Sequence, residues 1–129
     1  MPVMRNVLIV EDELLVALDL EDILVNSGFD VVGIVADHSG VETVQQPPIV
    51  ALVDLNLRDG PTGNAVAHRL ASQFGTRIIF VTANPSQIAD PPETAVGYVQ
   101  KPFRAETVLM AVSAALENIP GNGPSLRAF

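Results

Sequence analysis

The most constraining feature of this 129-residue sequence is an apolar run that ends in an acid. Residues 49–53 are five consecutive aliphatic residues that follow Pro47 and Pro48, and Asp54 comes directly after them. A short apolar run between turn-forming residues is typical of a strand buried on both faces, as in parallel sheets. A carboxylate at the carboxyl end of such a strand lies where open α/β sheets bind their ligands. Asp54 is therefore the first candidate functional residue.

Strand-like runs alternate with helical patterns along the rest of the chain. Besides residues 49–53, strands are expected at residues 6–10, 31–35, 77–81 and 97–100. Helices are expected at residues 13–26, 39–45, 64–74 and 104–117. This alternation predicts a three-layer α/β/α sandwich around a doubly wound, five-stranded parallel sheet of order 2-1-3-4-5, the flavodoxin-like arrangement. Pro91 and Pro92 leave room for little more than one helical turn after the fourth strand, so the fourth helix is expected to be short or distorted.

The composition limits the classes of partner. Acids outnumber bases 15 to 7, and the net charge of −8 disfavours direct binding of nucleic acid. The same charge suits a cationic ligand such as a metal ion. The sequence has no cysteine, which excludes disulfides and thiolate metal sites. It also lacks a signal-type apolar core and any apolar run near the roughly 20 residues that span a bilayer, so we expect a cytoplasmic protein that does not bind membranes.

The length favours a single domain. We expect this domain to cover residues 1–119 and to be followed by a flexible C-terminal tail over residues 120–129, a segment that carries Gly, Pro and Ser.

Side chains with chemical function follow four of the five predicted strands. They are Glu11 and Asp12 after the first strand, Asp54 after the third, Thr82 after the fourth and Lys101 after the fifth. In a parallel sheet these strand ends share one edge, with neighbouring strands about 4.8 Å apart. Two like charges near 4 Å repel by about 4 kcal/mol at an effective dielectric constant of about 20, so three carboxylates there predict a bound dication. Oxygen ligands favour Mg²⁺, with Asp12 and Asp54 as direct ligands and Glu11 acting through water.

The same side chains suit phosphoryl transfer. Asp54 would be the nucleophile, while the metal ion and Lys101 would neutralise the incoming oxygens. Thr82 would donate a hydrogen bond to one of those oxygens.

Four segments together resemble the receiver domain of two-component response regulators. They are residues 7–12 (VLIVED), residues 53–57 (VDLNL) with Gly60, residues 81–83 (VTA) and residues 97–103 (GYVQKPF), and the resemblance covers residues 5–118. It implies Mg²⁺-dependent transfer of a phosphoryl group to Asp54 from a sensor histidine kinase or a histidine phosphotransfer protein. It further implies that the main-chain carbonyl of Asn56 completes the metal site and that Lys101-Pro102 is a cis peptide. The acidic pair here is Glu-Asp rather than Asp-Asp, a variation that should leave metal binding intact.

The resemblance also implies how a signal leaves the site. Phosphorylation would draw Thr82 toward the phosphoryl group, and the ring of Tyr98 would swing into the space that opens. The surface formed by the fourth helix, the fifth strand and the fifth helix would then change, and the same face is a candidate homodimer interface. Pro91 and Pro92 depart from the family pattern within that face.

Three classes of function are compatible with these residues. The first is a stand-alone receiver, a switch or phosphorelay intermediate that is not an enzyme beyond its own phosphorylation and dephosphorylation. It is expected because the chain stops shortly after residue 117, with no room for an output domain. The second is a Mg²⁺-dependent phosphatase of the haloacid-dehalogenase type, which needs a second Asp where this chain has Asn56. The third is a pseudo-receiver, an interaction module that is never phosphorylated. The sequence does not identify the downstream partner.

Overall fold

The apolar runs of the sequence form the strands of one parallel sheet. The structure, a computed structural model, describes residues 5–117 and 126–129. The strands are β1 (Asn6–Val10), β2 (Asp30–Val35), β3 (Val50–Val53), β4 (Arg77–Thr82), β5 (Ala95–Gln100) and β6 (Arg127–Ala128). The helices are α1 (Leu14–Asn26), α2 (Gly63–Phe74) and α3 (Ala105–Glu117), with 3-10 segments at His38–Thr43 and Pro85–Gln87. The strand order is β2-β1-β3-β4-β5-β6, and each neighbouring pair is parallel.

This order confirms the predicted α/β class and the 2-1-3-4-5 arrangement, to which the structure adds a sixth strand beside β5. The segment predicted as a weak helix at residues 39–45 is instead a 3-10 helix, in which the side chain of Asp37 accepts a hydrogen bond from the main-chain N–H of Gly40. Such local side-chain bonds compete with the α-helical pattern.

Alternate residues of the central strands point to opposite faces of the sheet, and both faces are covered. One face packs against α1 and α3, and the other packs against α2 and the first 3-10 segment. The residues of the first face include Val7, Ile9, Val50, Leu52, Ile79 and Val81. Those of the second include Leu8, Val10, Ala51, Val53, Ile78 and Phe80. Burying each of these side chains except that of Ala51 contributes about 1.5–3 kcal/mol, so the central strands and their ends are held firmly.

The connection from β4 to β5 contains no α-helix in the structure, which describes every residue of it. Only Pro85–Gln87 is helical, as a single 3-10 turn, in agreement with the predicted short fourth helix. The rest of the connection is tied to α2. The side-chain amide of Asn64 donates to the carbonyls of Ala89 and Asp90 at 2.8 and 3.2 Å, and Nε2 of His68 lies 2.6 Å from the carbonyl of Asp90. Polar side chains of α2 therefore bind the β4–β5 connection, which is a loop where the alternating pattern of the chain would allow a helix.

The predicted flexible tail falls partly outside the described residues, which exclude 118–125 and thus also the predicted domain boundary after residue 119. Residues 126–129 are described, and they add β6 to the sheet, which the sequence did not predict. Arg127 is in register with Gly97 and Ala128 with Tyr98. The N–H of Phe129 donates to the carbonyl of Tyr98 at 3.0 Å. Within the described residues, no helix has both the length and the apolar content to cross a membrane.

Candidate functional site

The three predicted acidic ligands meet at one edge of the sheet. β1 and β3 are neighbours, with Val10 in register with Val53, so the residues that follow them emerge side by side. One carboxylate oxygen from each of Glu11, Asp12 and Asp54 lies within 4.8 Å of the other two. Glu11 and Asp54 are buried, at 2% and 7% exposure, whereas Asp12 is exposed to solvent. The structure therefore brings together the acids that the strand ends predicted.

Lys101 is shared between the two buried acids. Its Nζ lies 2.7 Å from Oε1 of Glu11 and 3.0 Å from Oδ2 of Asp54. The peptide between Lys101 and Pro102 is cis. The second oxygen of each acid is bound by the backbone, since the N–H of Asn56 donates to Oδ1 of Asp54 and the N–H of Glu13 donates to Oε2 of Glu11, both at 3.2 Å.

The burial and close spacing of Glu11, Asp54 and Lys101 change the pKa values of Glu11 and Lys101. Burial raises the pKa of Glu11 to about 7, although the hydrogen bond from Lys101 acts in the opposite direction. Burial lowers the pKa of Lys101, but its hydrogen bonds to Glu11 and Asp54 outweigh this effect, so the pKa lies above its usual value. One ammonium group thus faces three carboxylates. A hard dication fits this all-oxygen donor set, because it can accept two carboxylates and keep several waters.

Thr82 lies at the carboxyl end of β4, beside the end of β5. It is buried, its Oγ1 accepts the N–H of Asn84 at 3.0 Å, and its carbonyl accepts the N–H of Lys101 at 2.9 Å. Tyr98 is in register with Phe80, two residues before Thr82, so Tyr98 and Thr82 share one face of the sheet. The ring of Tyr98 is half-buried and packs at the margin of the core on that face.

A side-chain pair that the sequence did not suggest lies beside the site. The amides of Asn56 and Gln87 bond to each other twice, at 2.8 and 3.1 Å. Gln87 belongs to the 3-10 turn after β4, so this pair joins the loop after β3 to the loop after β4. The role predicted for Asn56 concerned its main-chain carbonyl, and that role stays a prediction.

Gly63 is a second residue that the sequence analysis missed. A Cβ at this position would lie 2.0 Å from the main-chain oxygen of Asp54 and 2.6 Å from Cα of Leu55. The N–H of Gly63 donates to the carbonyl of Leu55 at 3.0 Å. The first turn of α2 thus packs directly on the backbone of Asp54. The sequence offered one indication of this contact. A glycine stands at the start of an amphipathic helix, where the backbone conformation does not require one.

An ion pair fixes the loop after β3 from its other side. Asp37 follows β2, and its carboxylate binds the guanidinium of Arg58, the hydroxyl of Ser39 and the N–H of Gly40. These hydrogen bonds lower the pKa of Asp37 to about 2, and the bond from Arg58 has the largest effect. The N–H of Arg58 also donates to the carbonyl of Ala36 at 3.1 Å. The loop that carries Asn56 is therefore anchored to the end of β2.

Known proteins match both the sequence and the geometry. Residues 7–113 match the family model described as response regulator receiver domain. The phyllosphere-induced regulator PhyR of Methylorubrum extorquens is 32% identical over 116 residues, which are 86% of this chain and 43% of that protein. The chain therefore spans less than half the length of this curated relative.

Two solved structures are also similar. The solution NMR structure of the Erythrobacter litoralis PhyR response regulator REC domain has a TM-score of 0.80 at 32% identity, over 95% of this chain and 96% of that one. The crystal structure of a mutant of the anti-anti-sigma factor PhyR from Bartonella quintana has a TM-score of 0.76 at 31% identity, over 87% of this chain and 48% of that one.

The matched proteins are regulators, which gives no support to the alternative of a haloacid-dehalogenase-type phosphatase. The chain belongs to the response regulator receiver domain family of two-component signalling, and it is a regulator rather than an enzyme in the usual sense.

Proposed function

We propose that this chain is a phospho-accepting receiver in a two-component or phosphorelay system, with Asp54 as the phosphoacceptor. The observation that carries the proposal is the shared lysine. Lys101 holds Oδ2 of Asp54 at 3.0 Å inside a cluster of three acids, at the edge of the sheet where ligands bind. A buried carboxylate next to a fixed ammonium group is suited to attack phosphorus and to neutralise the oxygens that arrive with it.

The reaction we propose is a transfer from phosphohistidine to the carboxylate. An oxygen of Asp54 attacks phosphorus, the phosphorus–nitrogen bond breaks, and its electron pair stays on the imidazole of the donor. Lys101 binds a phosphoryl oxygen, and the hydroxyl of Thr82 turns from its local contacts to donate to another. The product is an aspartyl phosphate, which water later hydrolyses.

The acidic cluster would hold Mg²⁺ during this transfer. Asp12 and Asp54 would bind it directly, together with the main-chain carbonyl of Asn56. Glu11, which is buried and bonded to Lys101, would act through a bound water. Bound Mg²⁺ supplies positive charge that stabilises the phosphoryl oxygens.

An exposed apolar surface beside the cluster supports a protein as the phosphoryl donor. Leu14, Leu15 and Leu18 of α1 are large exposed side chains, and α1 begins two residues after Asp12. A depression of about 400 Å³ lies between α1 and the segment after β5, and its lining residues include Val16, Asp19, Lys101 and Phe103. Contiguous exposed apolar surface of this kind marks protein-binding sites. We propose that a sensor histidine kinase or a histidine phosphotransfer protein docks here.

We propose that the signal leaves through β5. Withdrawal of Thr82 toward the phosphoryl group would free space for the ring of Tyr98 on the same face of the sheet. Because the matched Bartonella quintana PhyR is an anti-anti-sigma factor, a protein of a sigma-factor control circuit is the downstream partner we propose.

The decisive experiment compares the wild type with Asp54→Asn. The full chain is incubated with Mg²⁺ and either beryllofluoride or a small phosphodonor, and modification is followed by intact mass and NMR chemical shifts. We expect the wild type to respond, Asp54→Asn to show no response, and a chelator to abolish the response. Asp30→Asn is the matched control, because Asp30 is an exposed acid at the opposite end of the sheet, and it should respond like the wild type. An equal response from Asp54→Asn would overturn the proposal.

A further inference from the structure

Residues 126–129 occupy the outer edge of β5 as a peptide ligand occupies a sheet edge. Their main chain pairs in parallel with Gly97 and Tyr98, and the N–H of Phe129 donates to the carbonyl of Tyr98 at 3.0 Å. In strand addition, main-chain hydrogen bonds provide affinity and alternate side chains provide specificity. Both elements are present here.

Two side chains of this segment pack on opposite faces of the sheet. Leu126 packs against the core on the α2 face, and Phe129 packs against the core on the face of α1 and α3. Residues three apart in a strand point to opposite faces, so this placement follows from the pairing itself. The guanidinium of Arg127 lies 4.7 Å from the centroid of the Phe129 ring, within the range of a cation–π interaction.

β5 is shaped to receive this segment. A Cβ at Gly97 would lie 2.2 Å from the carbonyl oxygen of Arg127 and 2.6 Å from the ring of Phe129. Among the described residues, the atoms nearest to that position all belong to Arg127 and Phe129, so the absence of a side chain at Gly97 permits the close contact with residues 126–129.

The docked segment also touches the proposed path of the signal. Leu126 and Tyr98 pack at the margin of the same core cluster, and Phe129 bonds to the main chain of Tyr98. Three residues further along, Lys101 binds Glu11 and Asp54. A rearrangement of the Tyr98 ring therefore changes the surface on which Leu126 rests.

We propose that the edge of β5 is a strand-docking surface whose resident ligand is residues 126–129 of the same chain, and that phosphorylation of Asp54 weakens this docking. The docking itself is supported by the strand pairing, by the contacts at Gly97 and by the packing of Leu126 and Phe129. The effect of phosphorylation on this docking rests on the proposed function. By reciprocity, loss of the docked segment favours the phosphorylated state. Release would expose the edge of β5 to an extended segment of a partner with apolar side chains at its first and fourth positions.

Trypsin cleavage after Arg127 measures the docking, because a protease needs a locally unpaired segment and the cleavage rate follows the population of the open form. The full chain is digested briefly, and the loss of Ala128 and Phe129 is followed by intact mass. We expect Gly97→Ala to raise the initial rate about tenfold, since its methyl group would clash with the main chain of Arg127 and the ring of Phe129. Gly33→Ala is the control, because its Cβ meets only the flexible end of Leu8 at 3.2 Å, and it should match the wild type.

The coupling is measured by the same digestion with Mg²⁺ and beryllofluoride. We expect the rate of loss to rise several-fold in the wild type and to stay unchanged in Asp54→Asn. The fluorescence anisotropy of Tyr98, the only tyrosine in a chain without tryptophan, gives an independent reading of the same release.

The outcomes separate the two proposals. Equal cleavage of Gly97→Ala and the wild type would overturn the docking surface. Uptake of beryllofluoride at Asp54 with no change in cleavage would overturn the coupling and leave the proposed function intact. Absence of uptake would overturn the proposed function and the coupling, while the Gly97→Ala comparison still decides the docking. A cleavage rate that falls with rising protein concentration, with dimers in solution, would show docking on a second copy and overturn the assignment to the same chain.

Discussion

The strand-end cluster and the β4–β5 side of the molecule are built in different ways. Glu11, Asp54 and Thr82 follow strands whose residues are buried on both faces, so the core of the sheet determines where these side chains lie. On the other side, residues 83–94 form a loop with a single 3-10 turn, held by a few polar contacts and by Ile88 at the margin of the core, and a two-residue strand closes the sheet. The comparison teaches that the positions of the reactive side chains depend on the packing of the core. Substitutions on the surface that would pass the signal on should change the stability of the core only slightly.

The largest effect should come from disturbing the backbone of the reactive edge. Gly63→Ala places a methyl group against the main chain of Asp54, and we expect it to lower the free energy of unfolding by about 3 kcal/mol, at the upper end for overpacking. Urea denaturation measures this change. Ser72→Ala, at an exposed position of the same helix, should change stability by less than about 0.5 kcal/mol. A loss from Gly63→Ala no larger than that of the control would show that α2 is not bound to the edge.

A smaller effect should follow from removing the shared cation. Lys101→Met leaves Glu11 and Asp54 facing each other without an ammonium group, and we expect a loss of about 2 kcal/mol in the presence of a chelator, since Lys101 is partly exposed. Adding Mg²⁺ should restore more stability to the variant than it adds to the wild type, because the ion replaces the missing charge. Arg104→Met, at an exposed position nearby, is the control. Equal stability of Lys101→Met and the wild type would contradict the electrostatic description of the cluster.

The β4–β5 side should be easier to loosen. Asn64→Ala removes two of the three hydrogen bonds that tie residues 89 and 90 to α2 and leaves that of His68, and we expect a cost of about 1 kcal/mol. Hydrogen exchange should speed up in residues 88–90 and stay unchanged in β1 and β3. Gln73→Ala, on the exposed face of α2, should leave the exchange unaltered. Faster exchange in β3 would show that the two regions are not independent.

The smallest effect should be a dependence on pH at the ion pair of Asp37 and Arg58, which anchors the loop after β3 to the end of β2. The pKa of Asp37 lies at about 2 in the folded protein, below its ordinary value of 3.8, so its contribution to stability is complete above about pH 4 and is lost as the pH falls toward 2. Urea midpoints of the wild type and Asp37→Asn should therefore differ near neutral pH and converge between pH 4 and pH 2. A gap that stays constant over that range would contradict the pairing with Arg58.

The central part of the fold and the reactive edge could be predicted because their signals are local. The strand at residues 49–53 is an uninterrupted apolar run, and its last residue locates Asp54 without any knowledge of packing. The position of Thr82 follows in the same way. The convergence of these residues then needs only the parallel order of the strands, which alternation with helices predicts.

The remaining contacts depend on which segments meet in space. Residues 126–129 have no strand pattern of their own, and they pair only because β5 presents an open edge without a side chain at Gly97. The partner of Asn56 is Gln87, which is 31 residues away in the short turn after β4, and no pattern in the sequence indicated that the two side chains meet. Gly63 looks like an unremarkable helix residue until the backbone of Asp54 is placed against it. No periodicity carries such information.

The direction of β6 has a practical consequence for biosensor design. Because β6 runs parallel to β5, residue 129 emerges on the same rim of the sheet as Asp54 and Lys101. An affinity tag or a reporter protein fused there would crowd the approach of a phosphoryl donor and pull on the docked segment. β1 starts at the opposite rim, so an attachment placed directly before Asn6 would lie away from the reactive rim.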